Sequence, residues 1–558
     1  MGFKRRLTGV SVIAAALTVT AGGLTSPAHA DATATSEYTV VAADNVSTAD
    51  AAAAITNLGG TIIRSNEAVG MFTVQAPATG FVEKAAASPA LTGAAHEISI
   101  GRSYEKNQSV EKEGSGSSAS VSGHHGGSGL DPLDDWGKKM VRTDKARRIE
   151  PGDKRVTVGV LDTGVDASNP DIGQNFNWHL SRNFAPDKID IDGPCEVASC
   201  LDPVGTDDGG HGTHVAGIIG AAANGMGVSG VAPNVSLVEL KGGQDSGFFF
   251  LEPVVNALVF AGQHGIDVVN MSFFVDPWLY NCTANPADSP PAQAEQRTII
   301  KAMFRALTFA HFKGTTLVAA LGNDHDNKNA PRTDTTSPDY PPGTAYPRPV
   351  DRNSCWDLPV EGPFVIGVSA VGPSGGKADY SNYGTRFVSV AAPGGYFRDG
   401  FGTPTFQTLP NEILSSYPKS VLQAAGKVDA DGNITPGNET SVFKDCKNGR
   451  CGYYTYLQGT SMASPHAAGV AALIVSKYGH NDPAHRGTLT LEPWKTEFIL
   501  DSTAAEHACP NPRTVDYTIV GRPAEFNATC EGGKEFNGFY GFGIVDAYAA
   551  VTAHPWWR

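Results

Sequence analysis

The sequence predicts an α/β fold on a mostly parallel sheet with helices on both faces, preceded by a small α/β unit. Three observations lead there. From about residue 131 onward, apolar runs of strand length alternate with helical segments, the pattern of repeated βαβ units. Residues 108–129 are rich in Ser, Gly, Glu and His with almost nothing to bury, which separates one folded segment from another. A chain of 558 residues is also too long for one ordinary domain, and its 64 Gly and 36 Pro suit many tight loops between buried elements.

The elements follow in order. Lys4, Arg5 and Arg6 form a positive n-region, 10–17 an apolar h-region, and Ala28-His29-Ala30 a small-x-small cleavage pattern. A signal peptide over 1–30 is therefore expected, cut after Ala30, with the product secreted. The apolar run is too short to span a bilayer, so no membrane anchor is expected. Within 31–107, residues 38–41 read as a strand and 48–58 as an Ala-rich helix stopped by Gly59-Gly60. Residues 61–63 and 71–74 read as further strands. The linker spans 108–130 and the large domain 131–558. In that domain the strands fall at 156–161, 235–240, 266–270 and 315–320. The helices fall at 211–223, 253–264, 297–313 and 460–478. The loops 275–296, 324–362 and 396–458 read as decoration that does not extend the core.

Composition narrows the function. A net charge of -15 argues against nucleic acid, whose phosphates an acidic surface repels. Eight cysteines in an exported chain read as disulfides. Cys195 with Cys200 and Cys446 with Cys451 are the local pairs; the partners of Cys282, Cys355, Cys509 and Cys530 stay open. Widely separated C-x4-C pairs match zinc spacing poorly.

Three polar residues sit where chemistry would explain them. Asp162 ends an apolar strand in Val160-Leu-Asp-Thr-Gly-Val-Asp166, where a carboxylate is costly without a partner. His211 begins a helix in Gly209-Gly-His-Gly-Thr-His-Val-Ala-Gly217. Ser461 begins another in Gly459-Thr-Ser-Met-Ala-Ser-Pro-His-Ala-Ala-Gly469. Alone, Asp162 reads as a turn residue and Ser461 as a helix cap. Together they supply a nucleophile, a base to activate it and a carboxylate to orient the base.

These segments resemble, in the same chain order, the three signature motifs of the subtilisin-like serine peptidases. The resemblance implies a three-layer subtilisin-like fold, with Asp162 as orienting carboxylate, His211 as general base and Ser461 as nucleophile. Leu317-Val-Ala-Ala-Leu-Gly-Asn323 resembles the family strand ending in Gly-Asn, which makes Asn323 an oxyanion donor beside the Ser461 backbone N–H. Ser246-Gly247 resembles one edge of the family cleft, and Ser272, Phe273 and Phe274 resemble the segment lining the other, with Gly322 in the pocket wall. The bulky Phe273 and Phe274 replace small residues usual there and are expected to reshape the specificity pocket. Asp171 and Asn224 resemble positions of a family calcium site, so a structural calcium is expected, with no cofactor for catalysis. His214 and His466 are expected to be packing residues, since His-Gly-Thr-His lacks the spacing and glutamate of a zinc helix. The 31–107 unit resembles an inhibitory propeptide removed by self-cleavage within the linker. The expected protein is a monomeric secreted endopeptidase acting on polypeptides, with its own propeptide as partner. An esterase would need Gly-x-Ser-x-Gly and the order Ser, Asp, His. A catalytically silent binding protein and a narrow-specificity processing protease are the alternatives.

Overall fold

The strand Thr157–Asp162 (β5), in sequence Thr-Val-Gly-Val-Leu-Asp, is buried along its whole length. That is what a near-continuous apolar run dictates when both sheet faces are covered. In the computed structural model, which describes residues 34–97, 132–133, 135–275, 277–339 and 343–557, β5 is an inner strand of the main sheet. The expected signal peptide and the 108–130 linker lie outside the described residues.

Before it, β1 (Thr35–Ala42), β2 (Thr61–Asn66), β3 (Met71–Pro77) and β4 (Leu91–His96) form an antiparallel sheet in the order β2-β3-β1-β4. The helices α1 (Thr48–Asn57) and α2 (Phe81–Ala86) complete this unit. Ser47 caps α1 by accepting the Asp50 N–H at 3.1 Å.

The main sheet adds β6 (Arg182–Asn183), β7 (Ser236–Lys241), β8 (Val268–Met271), β9 (Thr316–Ala320), β10 (Val365–Val371) and β11 (Val390–Pro393). All pairings are parallel, in the order β11-β10-β9-β8-β5-β7-β6. The chain runs from β5 to β7 on one side, then crosses to β8 on the other. β5 thus sits at a topological switch point, where open α/β sheets form a crevice beyond the strand ends.

Helices α3 (His211–Gly220) and α6 (Thr460–Tyr478) cover one face; α4 (Leu251–Gln263) and α5 (Pro290–Phe312) cover the other. One hydrophobic core joins Val158 and Val160 to α3 and α6, and a second joins Leu161 to α4 and α5. The result is the expected three-layer α/β architecture.

Two expectations are corrected. Helix α5 begins at Pro290, seven residues before the predicted start at 297. Pro290-Pro291 reads as a breaker in sequence, but proline suits the first helical positions, whose N–H groups need no intrahelical partner. Ser289 caps this start by accepting the Ala292 N–H at 3.3 Å. The segment 396–458 is also more than decoration. It holds β12 (Ile413–Tyr417), β13 (Val442–Lys447) and β14 (Arg450–Leu457), an antiparallel sheet in the order β12-β14-β13. Ile413, Leu414 and Tyr454 join the core around α3 and α6.

The disulfides are Cys195–Cys200 and Cys446–Cys451, as expected, together with Cys282–Cys355 and Cys509–Cys530. Among the described residues no helix is long and apolar enough to cross a membrane.

Candidate active site

Asp162 is the last residue of β5 and His211 the first of α3. Gly212 lets them meet. A Cβ there would lie 2.0 Å from the Gly164 carbonyl oxygen and 3.0 Å from the Asp162 Cβ, so only glycine admits this approach. His211 Nδ1 is 2.7 Å from Asp162 Oδ1, and both side chains are buried. A carboxylate only accepts, so Nδ1 carries the proton and Nε2 is the basic nitrogen of the neutral ring.

Sequence reasoning missed the residue that anchors α3. Buried Asp207 accepts from Thr163 Oγ1 at 3.0 Å, Gly210 N at 2.8 Å, Thr213 N at 2.9 Å and Thr213 Oγ1 at 2.5 Å. It satisfies orphan N–H groups at the helix start and ties them to the end of β5. An acidic residue four positions before a helix-starting histidine was the available signal.

Ser461 lies in the first turn of α6. Pro465 has no N–H to close the turn on the Ser461 carbonyl. Ser272 takes that place: its Oγ donates to the Ser461 carbonyl at 3.1 Å, and it also meets Ser464 Oγ at 2.9 Å and Asn270 Nδ2 at 2.9 Å. In return Ser461 Oγ donates to the Ser272 carbonyl at 3.3 Å. Ser272 is fully buried, so its side chain positions Ser461 and does not line a substrate surface.

Asn323 follows β9. Its Oδ1 accepts from Thr460 N and Thr460 Oγ1, each at 2.8 Å, and the Gly322 N–H bonds back to Thr460 Oγ1 at 3.0 Å. With the oxygen fixed, the amide nitrogen is turned toward the head of α6. A Cβ at Gly459 would meet Asn323 Nδ2 at 3.4 Å and the Ser461 nitrogen at 3.6 Å. Two N–H donors are thereby gathered at one spot. Thr460, the residue that orients this amide, was not singled out in sequence.

The two aromatics differ from expectation. Phe273 is 2% exposed and stacks on Phe249 with ring centroids 4.1 Å apart. It belongs to the core beneath α4 and α5 and does not face a pocket. Successive residues of extended chain point to opposite sides, and Phe274 packs instead against the cluster of Leu279, Tyr280 and Cys282. Ser246 and Gly247 lie in a tight turn where Gln244 N bonds the Phe248 carbonyl at 2.8 Å; the Ser246 N–H is held by Asp192 Oδ1 at 3.0 Å.

Burial pushes His214 down to about 3, with His211 adding to the effect, so it is neutral; its Nε2 donates to the carbonyls of Ile413 and Thr455 at 3.1 and 3.2 Å. His466 is pushed down by burial as well, and its Nδ1 donates to the Met462 carbonyl at 2.8 Å.

Asp171 and Asn224 do meet, but as a hydrogen-bonded pair. Asn224 Nδ2 donates to Asp171 Oδ1 at 2.9 Å, while Tyr454 O–H and Val228 N–H donate to Asp171 Oδ2 at 2.7 and 3.2 Å. Asn224 Oδ1 accepts the Met226 N–H at 3.0 Å, and the Lys447 ammonium donates to the Asn224 carbonyl. A carboxylate ringed by donors beside an ammonium does not fit a hard cation, which needs converging oxygens.

A buried Asp–His pair lies at the switch point of a parallel α/β sheet, and a serine and an Asn amide meet at the head of α6; these are the groups that a serine peptidase uses. The Subtilase family profile matches residues 153–543. Subtilisin DY of Bacillus licheniformis is 29% identical over 347 residues, covering 62% of this chain and 85% of that protein. Fervidolysin of Fervidobacterium pennivorans is 27% identical over 383 residues, covering 66% of this chain but 40% of that protein. In fold, the epidermin leader peptide processing serine protease of Staphylococcus aureus superposes with a TM-score of 0.59 at 20% identity, over 93% of this chain and 98% of that one. The chain belongs to the subtilase family, whose members hydrolyse peptide bonds.

Proposed function

We propose that this chain is a secreted serine endopeptidase that cleaves polypeptides through Ser461, His211 and Asp162. Ser461 Oγ attacks the scissile carbonyl carbon and passes its proton to His211 Nε2. Asp162 holds the ring in the required tautomer and stabilises the imidazolium. The carbonyl oxygen, now an oxyanion, is met by Asn323 Nδ2 and the Ser461 N–H. His211 returns the proton to the leaving amine as the C–N bond breaks, leaving an acyl ester on Ser461. Water, deprotonated by His211, then hydrolyses that ester and restores the hydroxyl. The observation that carries the reading is the buried 2.7 Å Asp162–His211 contact at the switch point.

Residues 31–107 act, in this reading, as an inhibitory propeptide after removal of a signal peptide near Ala30, and self-cleavage falls within 108–130. Its described part lies on α4 and α5. Arg64 bonds Glu252 through Nε and Nη2 at 3.1 Å each, Lys301 Nζ reaches Asp44 at 2.6 Å, and His96 Nδ1 reaches Glu295 at 2.8 Å. Its last described residue, Glu97, ends at the Lys188 ammonium, on the loop that also holds Ser246 through Asp192. The protein is proposed to act as a monomer with no cofactor for catalysis.

The test compares the precursor with its Ser461→Ala variant by mass over time and by casein degradation. The wild type is expected to shed its N-terminal segment and degrade casein while the variant stays whole and inert. Equal processing of both, with no proteolysis by either, refutes the reading.

A further inference from the structure

The sheet bonding of β9 ends one residue past the strand, where the Leu321 N–H bonds the Val368 carbonyl at 3.1 Å. Gly322 then turns the chain out of the strand direction at a φ of +103°, and Asn323 stands on the loop that follows. Thr460 sets which way the Asn323 amide faces. The backbone beneath that amide needs a separate hold, because the ladder has ended.

Asn382, on the segment between β10 and β11, supplies it and is fully buried. Its Oδ1 accepts the Asp324 N–H at 3.0 Å and the Asp326 N–H at 2.8 Å. Only the oxygen of an amide can accept two N–H groups, so the other end is the nitrogen, and it donates to the Leu321 carbonyl at 3.1 Å. The Asn382 N–H donates to the Gly322 carbonyl at 2.9 Å. One residue thus holds the two positions before Asn323 together with Asp324 and Asp326 beyond it. Asn382 is itself anchored, since Ser381 Oγ accepts the Ala370 N–H of β10 and donates to the Asn382 carbonyl, each at 3.0 Å. The far end of the loop is fixed as well: the Tyr280 O–H, from the 275–296 loop, donates to Asp326 Oδ2. A buried polar network satisfied in this way is rigid.

We propose that Asn382 is a positioning residue for the oxyanion donor, fixing the loop that carries Asn323 against the sheet so that Nδ2 stands where charge develops. The proposal rests on the role given to Asn323. The bonds divide by kind. The Asn382 side chain holds Leu321, Asp324 and Asp326, whereas its hold on Gly322, which the sequence places in the pocket wall, is main-chain and survives replacement of the side chain. Loss of the side chain should therefore weaken transition-state stabilisation and spare substrate binding.

The test is steady-state kinetics on a chromogenic peptide with Asn382→Ala, Asn323→Ala and the double variant, each taken after its N-terminal segment is shed. Asn382→Ala is expected to lower kcat by about 10–10², the scale of a displacement of about 1 Å, with KM within about twofold. In the Asn323→Ala background the same substitution should change kcat by less than about threefold, because residues acting as one unit do not add. Asn382→Asp keeps the shape and both acceptor bonds but sets an oxygen against the Leu321 carbonyl, and it serves for the same cycle if Asn382→Ala does not fold. An equal fall in kcat in both backgrounds would overturn the proposal, since Asn382 would then act on something other than Asn323; so would a rise in KM at unchanged kcat. An Asn323→Ala variant as fast as the wild type would instead overturn the oxyanion reading, and the proposal with it.

Discussion

The Ser272 hydroxyl is predicted to hold the head of α6 because Pro465 cannot. Ser272→Ala removes the donor to the Ser461 carbonyl, and no N–H at position 465 can replace it. A buried carbonyl left unpaired costs about 1–3 kcal/mol. Pro465→Ala restores an N–H four residues on, in place to close an intrahelical bond on the same carbonyl. Ser272→Ala should therefore cost about 2 kcal/mol with Pro465 present and under about 1 kcal/mol in the Pro465→Ala background, a coupling of about 1–2 kcal/mol. The assay is a double-mutant cycle by urea unfolding of the inert Ser461→Ala chain. In the active enzyme, Ser272→Ala should lower kcat with little change in KM, since it moves the proposed nucleophile and not a substrate contact. Strict additivity of the two substitutions would refute the reasoning, because it would mean that the hydroxyl and the missing N–H do not serve one carbonyl.

Other predictions follow from the same geometry. Asn323→Ala should lower kcat by roughly 10²–10³ with KM nearly unchanged, the magnitude known for this donor in subtilisin itself; steady-state kinetics on a chromogenic peptide decides it. Phe273→Ala should destabilise the fold by about 3–5 kcal/mol without altering the residue preferred at the cleavage point, which unfolding curves and a peptide library read separately. Burial, with repulsion from Glu252, pushes Glu97 up to about 8 from 4.5, and Lys188 offsets part of this. The docked unit then binds a proton that the separated one lacks, so its docking stability is fully present below about pH 4.5 and falls as pH rises toward 8. The lag before activity appears should shorten from pH 5 to 8, and Glu97→Gln should lengthen it at pH 8 and flatten its pH dependence.

The sequence disclosed the parallel sheet because its strands are buried on both faces and read as apolar runs, β5 most plainly. It marked Asp162, His211 and Ser461 as polar residues at the ends of elements, and pointed to Asn323 only through resemblance to the family strand ending in Gly-Asn. It did not disclose β12 to β14, whose Ser, Tyr, Lys and Cys residues alternate around a partly exposed sheet and look like loop. Phe273 was misplaced for a related reason. A position in a motif says which backbone lines a cleft, while the side-chain direction depends on the pleat and on Phe249, far away in sequence. Asp207 and Thr460 were missed because capping residues resemble ordinary turn residues until their donors are seen.

The length of the motifs now has a physical account. A triad needs three side chains, yet the segments around His211 and Ser461 are far longer, and their remaining members are occupied. Gly212 allows the approach to Asp162, Thr213 binds Asp207, and His214 ties α3 to the sheet of β12 and β14. Thr460 aims Asn323, Ser464 meets Ser272, Pro465 leaves the carbonyl that Ser272 serves, and His466 closes on Met462. Each is buried, and every hydroxyl and one ring nitrogen of each histidine among them is bonded, which suits a preorganised site, since loosely held donors would have to be ordered during the reaction. The motifs therefore record the supports of two helix starts more than they record the reacting atoms. A substitution among the supports should lower turnover by displacing Ser461, His211 or Asn323 while leaving each of those side chains in place.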